Sequence, residues 1–155
     1  MPTVEESIEV HVPVQTAYNQ WTQFEEFPTF MEGVKSVAQL DPTHLHWVAE
    51  VDGQRKEWDA EITEQLPDDR IAWKATGGKP NAGVVTFHRL DDRRCKVMVQ
   101  LEWEPDGMTE RIGGALGRDS GHVKKDLEQF KSLIESRGSA SGGWRGVVEQ
   151  GETPR

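Results

Sequence analysis

Asp119 and His122 stand three residues apart, a spacing that puts both on one flank of a helix, where a carboxylate can orient an imidazole for proton transfer. They are the acid/base candidates of this chain. His44 and His46 share one face of an alternating segment, and Glu57, Asp59 and Glu61 share one face of the next. His46 can therefore pair with a carboxylate across two strands. That face is the acidic, outward one, so the pattern describes solvated charge pairing, and no metal is expected. Cys95 is the single cysteine, which rules out an intramolecular disulfide and a Cys-rich zinc site, and no histidine adjoins it in sequence to activate a nucleophile. Arg55 and Arg89 can polarise a carbonyl, yet each adjoins a turn.

The elements that must position these groups begin with the longest periodic stretch. From Thr109 to Arg137, Ile112, Leu116, Val123, Leu127, Phe130 and Ile134 recur at the three- and four-residue spacing of an amphipathic helix. Arg111, Arg118, Lys124, Lys125, Glu128, Lys131 and Glu135 occupy its other flank, and Gly138 follows as a stop signal. Gly113, Gly114, Gly117 and Gly121 crowd the first half, at about 1 kcal/mol each against alanine. Either the helix is continuous and omits side chains so that a ligand or the sheet approaches its backbone, or Asp119 or Ser120 caps a shorter helix behind a glycine-rich lid.

Upstream, the period is mostly two. Ile8, Val10 and Val12 alternate with polar residues as a first strand, ended by Pro13. Val14, Ala17, Tyr18 and Trp21 then return at helical spacing, and Phe24, Phe27, Phe30 and Met31 form a second short turn around Pro28. From Val34 six alternating segments follow, with inward rows that include Leu45, Trp47 and Ala49; Trp58, Ala60 and Ile62; Ile71, Trp73 and Ala75; Val85 and Phe87; and Val97, Val99, Leu101 and Trp103. Gly53, Pro67 to Asp69, Gly77 to Pro80 and Asp91-Asp92 supply the turns. Antiparallel strands with one apolar face must cover something, and only the long helix is large enough. The expected fold is α+β: a curved antiparallel sheet of about seven strands wrapped around a long C-terminal helix, with two short helices after strand one, and strand one pairing with the last. Domain bounds are expected at 1–137, with 138–155 a flexible, Gly/Ser-rich tail in which Trp144 with Val147 and Val148 is the apolar exception, able to dock a partner or the pocket mouth.

Length and charge narrow the function classes. The chain has 155 residues, one domain's worth, and carries 18 Lys plus Arg against 27 Asp plus Glu, a net charge of -9. An acidic surface disfavours nucleic acid and anionic membranes. No apolar run approaches a membrane span. A cytoplasmic protein without membrane insertion, monomeric or weakly dimeric, is expected. Of six tryptophans, Trp21, Trp47, Trp58, Trp73 and Trp103 stand in periodic segments and mark an interior rich in large rings: either plain core filling or the lining of an apolar pocket.

Three strings carry a resemblance. VPVQTAYNQWTQFEEFPTFM from Val12 to Met31, WDAEI from Trp58 to Ile62 and VVTFHRL from Val84 to Leu90 closely resemble bacterial polyketide cyclase/dehydrase-like proteins of the START-like (Bet v 1-like, SRPBCC) helix-grip superfamily, which includes coenzyme Q-binding proteins. The resemblance covers roughly Val4 to Arg137. It implies an apolar cavity between sheet and helix, approached by Trp47, Trp58, Trp73, Phe87, Val99, Trp103, Leu116 and Val123, with Tyr18, Phe24, Phe27, Phe30 and Met31 at its mouth. The ligand it implies is a hydrophobic small molecule of lipid, isoprenoid or aromatic polyketide type. Because nearly every inward position reads as apolar, non-catalytic binding is the leading expectation and no cofactor is expected. The alternative is a polyketide cyclase/dehydratase acting on a poly-β-ketone, with Asp119 and His122 moving protons.

Overall fold

The computed structural model describes residues 3–31, 33–51, 53–76, 81–103 and 120–149. The elements run in the expected order: β1 (Thr3–Val10), α1 (Val14–Trp21), a 3-10 helix (Phe24–Thr29), β2 (Val34–Asp41), β3 (His44–Val51), β4 (Gln54–Leu66), β5 (Arg70–Ala75), β6 (Asn81–Asp91), β7 (Arg94–Trp103), α2 (Ser120–Arg137) and a short β8 (Val148–Glu149). The sheet is antiparallel in the order β1-β7-β6-β5-β4-β3-β2. First strand does meet last, from Thr3 opposite Glu102 to Val10 opposite Cys95. Pro28 inside the second helical turn explains its 3-10 form, because proline cannot donate to an α-helical ladder.

Burial confirms the alternation. Val10, Ile62, Ile71, Val85, Cys95 and Val97 are at 0 % exposure on the apolar side of the sheet, and Val123, Leu127, Phe130 and Ile134 of α2 lie at 4 % or less in the same core. Charged side chains of α2 grip the edge strand it covers: the Lys124 ammonium donates to the Ser7 carbonyl at 2.8 Å and that of Lys131 to the Glu9 carbonyl at 3.1 Å, while Glu135 accepts from the His11 amide at 2.8 Å. These bonds occupy backbone groups of β1 and of the residue just beyond it, which an edge strand otherwise leaves to another chain. Gly138, at φ +72°, closes the helix by donating to the Ile134 carbonyl at 2.8 Å. The segment 109–119, expected to continue the helix or form its lid, lies outside the described residues.

Residues 138–149 differ from the flexible tail their composition suggests. The Ser141 amide donates to Gln20 Oε1 at 2.9 Å, and its hydroxyl donates to Glu26. The Trp144 amide donates to Thr22 Oγ1 at 3.0 Å, and the Arg145 guanidinium bonds Asn19 at 2.7 Å and Asp68 at 2.6 Å while lying 5.5 Å over the Tyr18 ring. β8 then pairs with Glu64 and Gln65 of β4. Its place exists because the β3–β4 pairing ends at Glu61, which leaves that edge of β4 free at Glu64 and Gln65, beside a register shift between Ile62 and Glu64, for residues 138–149, a strap across this end of the fold. A glycine-rich composition permits close approach as readily as disorder, and the decision came from Val148, which is fully buried. Replacing Val148 with alanine is expected to lower unfolding free energy by about 2 kcal/mol, read as a shifted urea midpoint at unchanged slope; removal of residues 138–155 should lower it at least as much.

Candidate functional site

The space between sheet and α2 has two unlike ends. At one, the rings of α1, the 3-10 helix and α2 close on each other: Trp21 meets Phe130 at 4.9 Å, Phe30 meets Phe130 at 5.2 Å, and Tyr18 meets Phe87 at 5.3 Å, in tilted or edge-to-face geometry. Tyr18, Phe24, Phe27, Phe30 and Phe87, expected at the cavity or its mouth, are each 5 % exposed or less. They are core here. Burial pushes the Tyr18 hydroxyl up to about 12, and it faces the fully buried Gln65 amide without a well-aligned hydrogen bond. Burial likewise pushes the Cys95 thiol up to about 11, which keeps it protonated and a poor nucleophile.

The other end is where β2, β4 and β6 begin and β3, β5 and β7 finish. Here the inward apolar residues Met31, Trp58, Trp73 and Leu101 pack on the core yet stay partly exposed. Trp58 stacks on Trp47, opposite it in register, with ring centroids 5.6 Å apart and planes 10° apart. Trp73 lies flat across β6 because Gly83 opposite it has no side chain: a Cβ there would sit 2.5 Å from the indole and 2.8 Å from Leu101 Cδ2. Val99 of β7 and Val123 of α2 are buried in the same core, at 7 % and 4 % exposure. Trp47, Val99 and Val123 belong to the single apolar core, with Met31, Trp58 and Trp73 packed against it, and Trp47 meets Phe27 with ring centroids 5.6 Å apart. Asp119 and Leu116 lie outside the described residues, as do the side chains of Trp103 and His122, whose backbones belong to β7 and α2.

The inward surface also holds polar groups that reading the apolar rows alone passes over. Asp126 is only 7 % exposed, three residues after Val123 and four before Phe130, so a carboxylate interrupts the apolar face of α2. Lys56 stands opposite Ala49, one inward step before Trp58, and Glu6 stands opposite Val99. Both are half-buried. The alternation itself contains this signal: the inward parity of β1 runs Val4, Glu6, Ile8 and Val10, and that of β4 reaches Lys56 one step before Trp58.

Outside, the charges pair. His46 Nδ1 lies 2.7 Å from Asp59 and Nε2 3.0 Å from Glu57; Arg55 completes the chain at 2.8 Å from Glu57, and His44 lies 2.8 Å from Asp41. Arg89 pairs with Asp92. Among the described residues no group of three or more His, Cys, Asp or Glu side chains converges as a metal site. A hollow of about 490 Å³ spans β1, β7, β6, β5 and β4, and its lining combines outward residues such as Glu5, Lys74, Val84 and Gln100 with Trp73, Gly83 and Leu101 of the inward rows. The two carboxylates raise His46 above its ordinary 6.5, by hydrogen bonds to Asp59 first and Glu57 second. Its stabilising share is therefore complete below pH 6.5 and lost as pH rises through the elevated value. Urea midpoints should fall modestly over that window, and His46→Gln should flatten the fall.

Residues 10–131 match the family model described as "Polyketide cyclase / dehydrase and lipid transport". An uncharacterized 17.2 kDa protein of Streptomyces lincolnensis is 59% identical over 149 residues, covering 96% of this chain and 99% of its own length. Among solved structures, a Deinococcus radiodurans protein is 26% identical with a TM-score of 0.71, over 88% of this chain and 99% of that one. A START superfamily protein of Mycobacterium smegmatis has a TM-score of 0.71 at 16% identity, over 87% and 98% of the two chains. The Zhui aromatase/cyclase of Streptomyces sp. R1128 has a TM-score of 0.72 at 15% identity, over 92% and 99%. These last two likenesses show the fold alone.

Proposed function

Because this chain belongs to the polyketide cyclase/dehydrase and lipid-transport family, we propose that it binds a hydrophobic small molecule at the open end of the space between sheet and α2. The observation that carries the reading is the burial gradient along one apolar face. Rings and aliphatic groups at the closed end are sealed, whereas Met31, Trp58, Trp73 and Leu101 remain partly exposed on the same face. Apolar area left in water next to a packed core is what a ligand of matching character removes, at roughly 25 cal/mol per Å². An isoprenoid, a lipid chain or an aromatic polyketide fits that surface. The stacked pair Trp47 and Trp58 gives a planar platform, and Trp73 over Gly83 gives a second.

The neutral fluorescent probe N-phenyl-1-naphthylamine tests this directly. It should bind the folded protein and quench tryptophan emission, and Trp58→Ala and Trp73→Ala should each weaken it about tenfold, the share of one ring contact. Folded variants that bind the probe as tightly as the parent would place the site elsewhere. Native mass spectrometry of protein taken gently from its host should show one non-covalent apolar mass.

Asp126 favours a second reading, cyclisation or dehydration of a poly-β-ketone. A carboxylate in an apolar helix face is a candidate for proton transfer, and holding a flexible chain in one folded geometry supplies much of such a rate. Asp119 and His122 are the further candidates on this reading. Asp126→Asn and His122→Ala should each cut turnover of a poly-β-ketone by 10²-fold or more; intact turnover in either variant removes that residue from the mechanism.

A further inference from the structure

We infer that the ligand of this open end is an amphiphile with an anionic oxygen head, and that Lys56 receives the head; the inference rests on the binding reading above. Three observations converge. First, register places Lys56 on the concave face: it pairs with Ala49, which is 3 % exposed, two positions before Trp58 on β4. Lys56 is half-buried, whereas its neighbours Arg55 and Glu57 are exposed, as strand alternation requires of an inward residue. Second, Lys56 makes no hydrogen bond or ion pair among the described residues, in a protein where Arg55, Arg70, Lys74, Arg94, Lys131, Arg137 and Arg145 each have a carboxylate within 4.0 Å. Third, the Nε1–H of Trp47, in the neighbouring inward pair with Trp58, is buried with no acceptor among the described residues.

Two donors without acceptors therefore adjoin one apolar platform. Leaving the buried Trp47 N–H unpaired costs free energy, so its missing partner is an acceptor, and the half-buried Lys56 cation favours one bearing negative charge. The body of the ligand lies on Trp58 and the head meets Lys56. A chain with net charge -9 repels anions at a distance, so a local cation is what such a head requires. Glu6, the inward carboxylate, stands on β1, four strands away from β4 along the sheet, and leaves the Lys56 side cationic.

Decanoate and decanol share a tail and differ in the head, and both can be measured by displacement of N-phenyl-1-naphthylamine from the full-length protein. Decanoate should bind more tightly than decanol. Lys56→Met keeps the apolar stem and should weaken decanoate about tenfold while leaving decanol within about twofold; Lys56→Arg should restore decanoate, and added salt should shrink its advantage. Equal binding of the two probes by the parent protein, or equal loss of both in Lys56→Met, would overturn the assignment of the head while leaving the apolar site standing. Failure of the parent to bind the naphthylamine at all would overturn both.

Discussion

Phe130 is the ring on which the fold depends. It projects from the middle of α2 with no exposure and meets both Trp21 at 4.9 Å and Phe30 at 5.2 Å. Trp21 ends α1, Phe30 follows the 3-10 helix, and Phe87 of β6 lies 6.3 Å from Trp21. One aromatic cluster thus ties the N-terminal helices, the sheet and the C-terminal helix together. Every remaining feature is arranged around it: the sheet curls because its apolar face must reach the same rings, and α2 docks where its stripe meets them.

That cluster also divides the interior. Edge-to-face rings pack closely, so that end of the interior serves stability. The strap of residues 138–149 reinforces the closed end from outside. It ties Gln20 and Thr22 of the α1 region to the β4–β5 turn, and Arg145 reaches Asp68, which takes a left-handed φ of +62° there. The hydroxyl of Ser141 holds the Glu26 carboxyl below the usual range, with Arg137 adding to the effect.

Charge follows the same division. Outward rows carry histidine, carboxylate and guanidinium groups that satisfy one another and keep the convex face in water. Inward rows carry few polar groups, and each of those is a commitment, because a polar atom on an apolar face needs a partner. Gln65, Asp126, Lys56 and Glu6 are such groups, and they lie in different parts of the interior: Gln65 beneath the strap, Asp126 on α2, Lys56 and Glu6 on opposite arms of the sheet.

Periodicity alone determined the order of elements, the strand faces, the partnership of β1 with β7 and the stop at Gly138, since a period of 2.0 or 3.6 translates directly into which side of an element is apolar. It also placed His46 among outward carboxylates. What it could not decide is how the faces meet. The same alternation that makes Phe87 and Trp73 inward leaves one sealed against Tyr18 and the other open over Gly83, because that difference depends on which helix crosses which strand. The strap illustrates the same limit: a Gly/Ser segment has no periodic signal, and only the free edge of β4 beyond Glu61 gives Val148 a place to be buried. Burial is a property of pairs of surfaces, and tertiary structure is what brings the second surface.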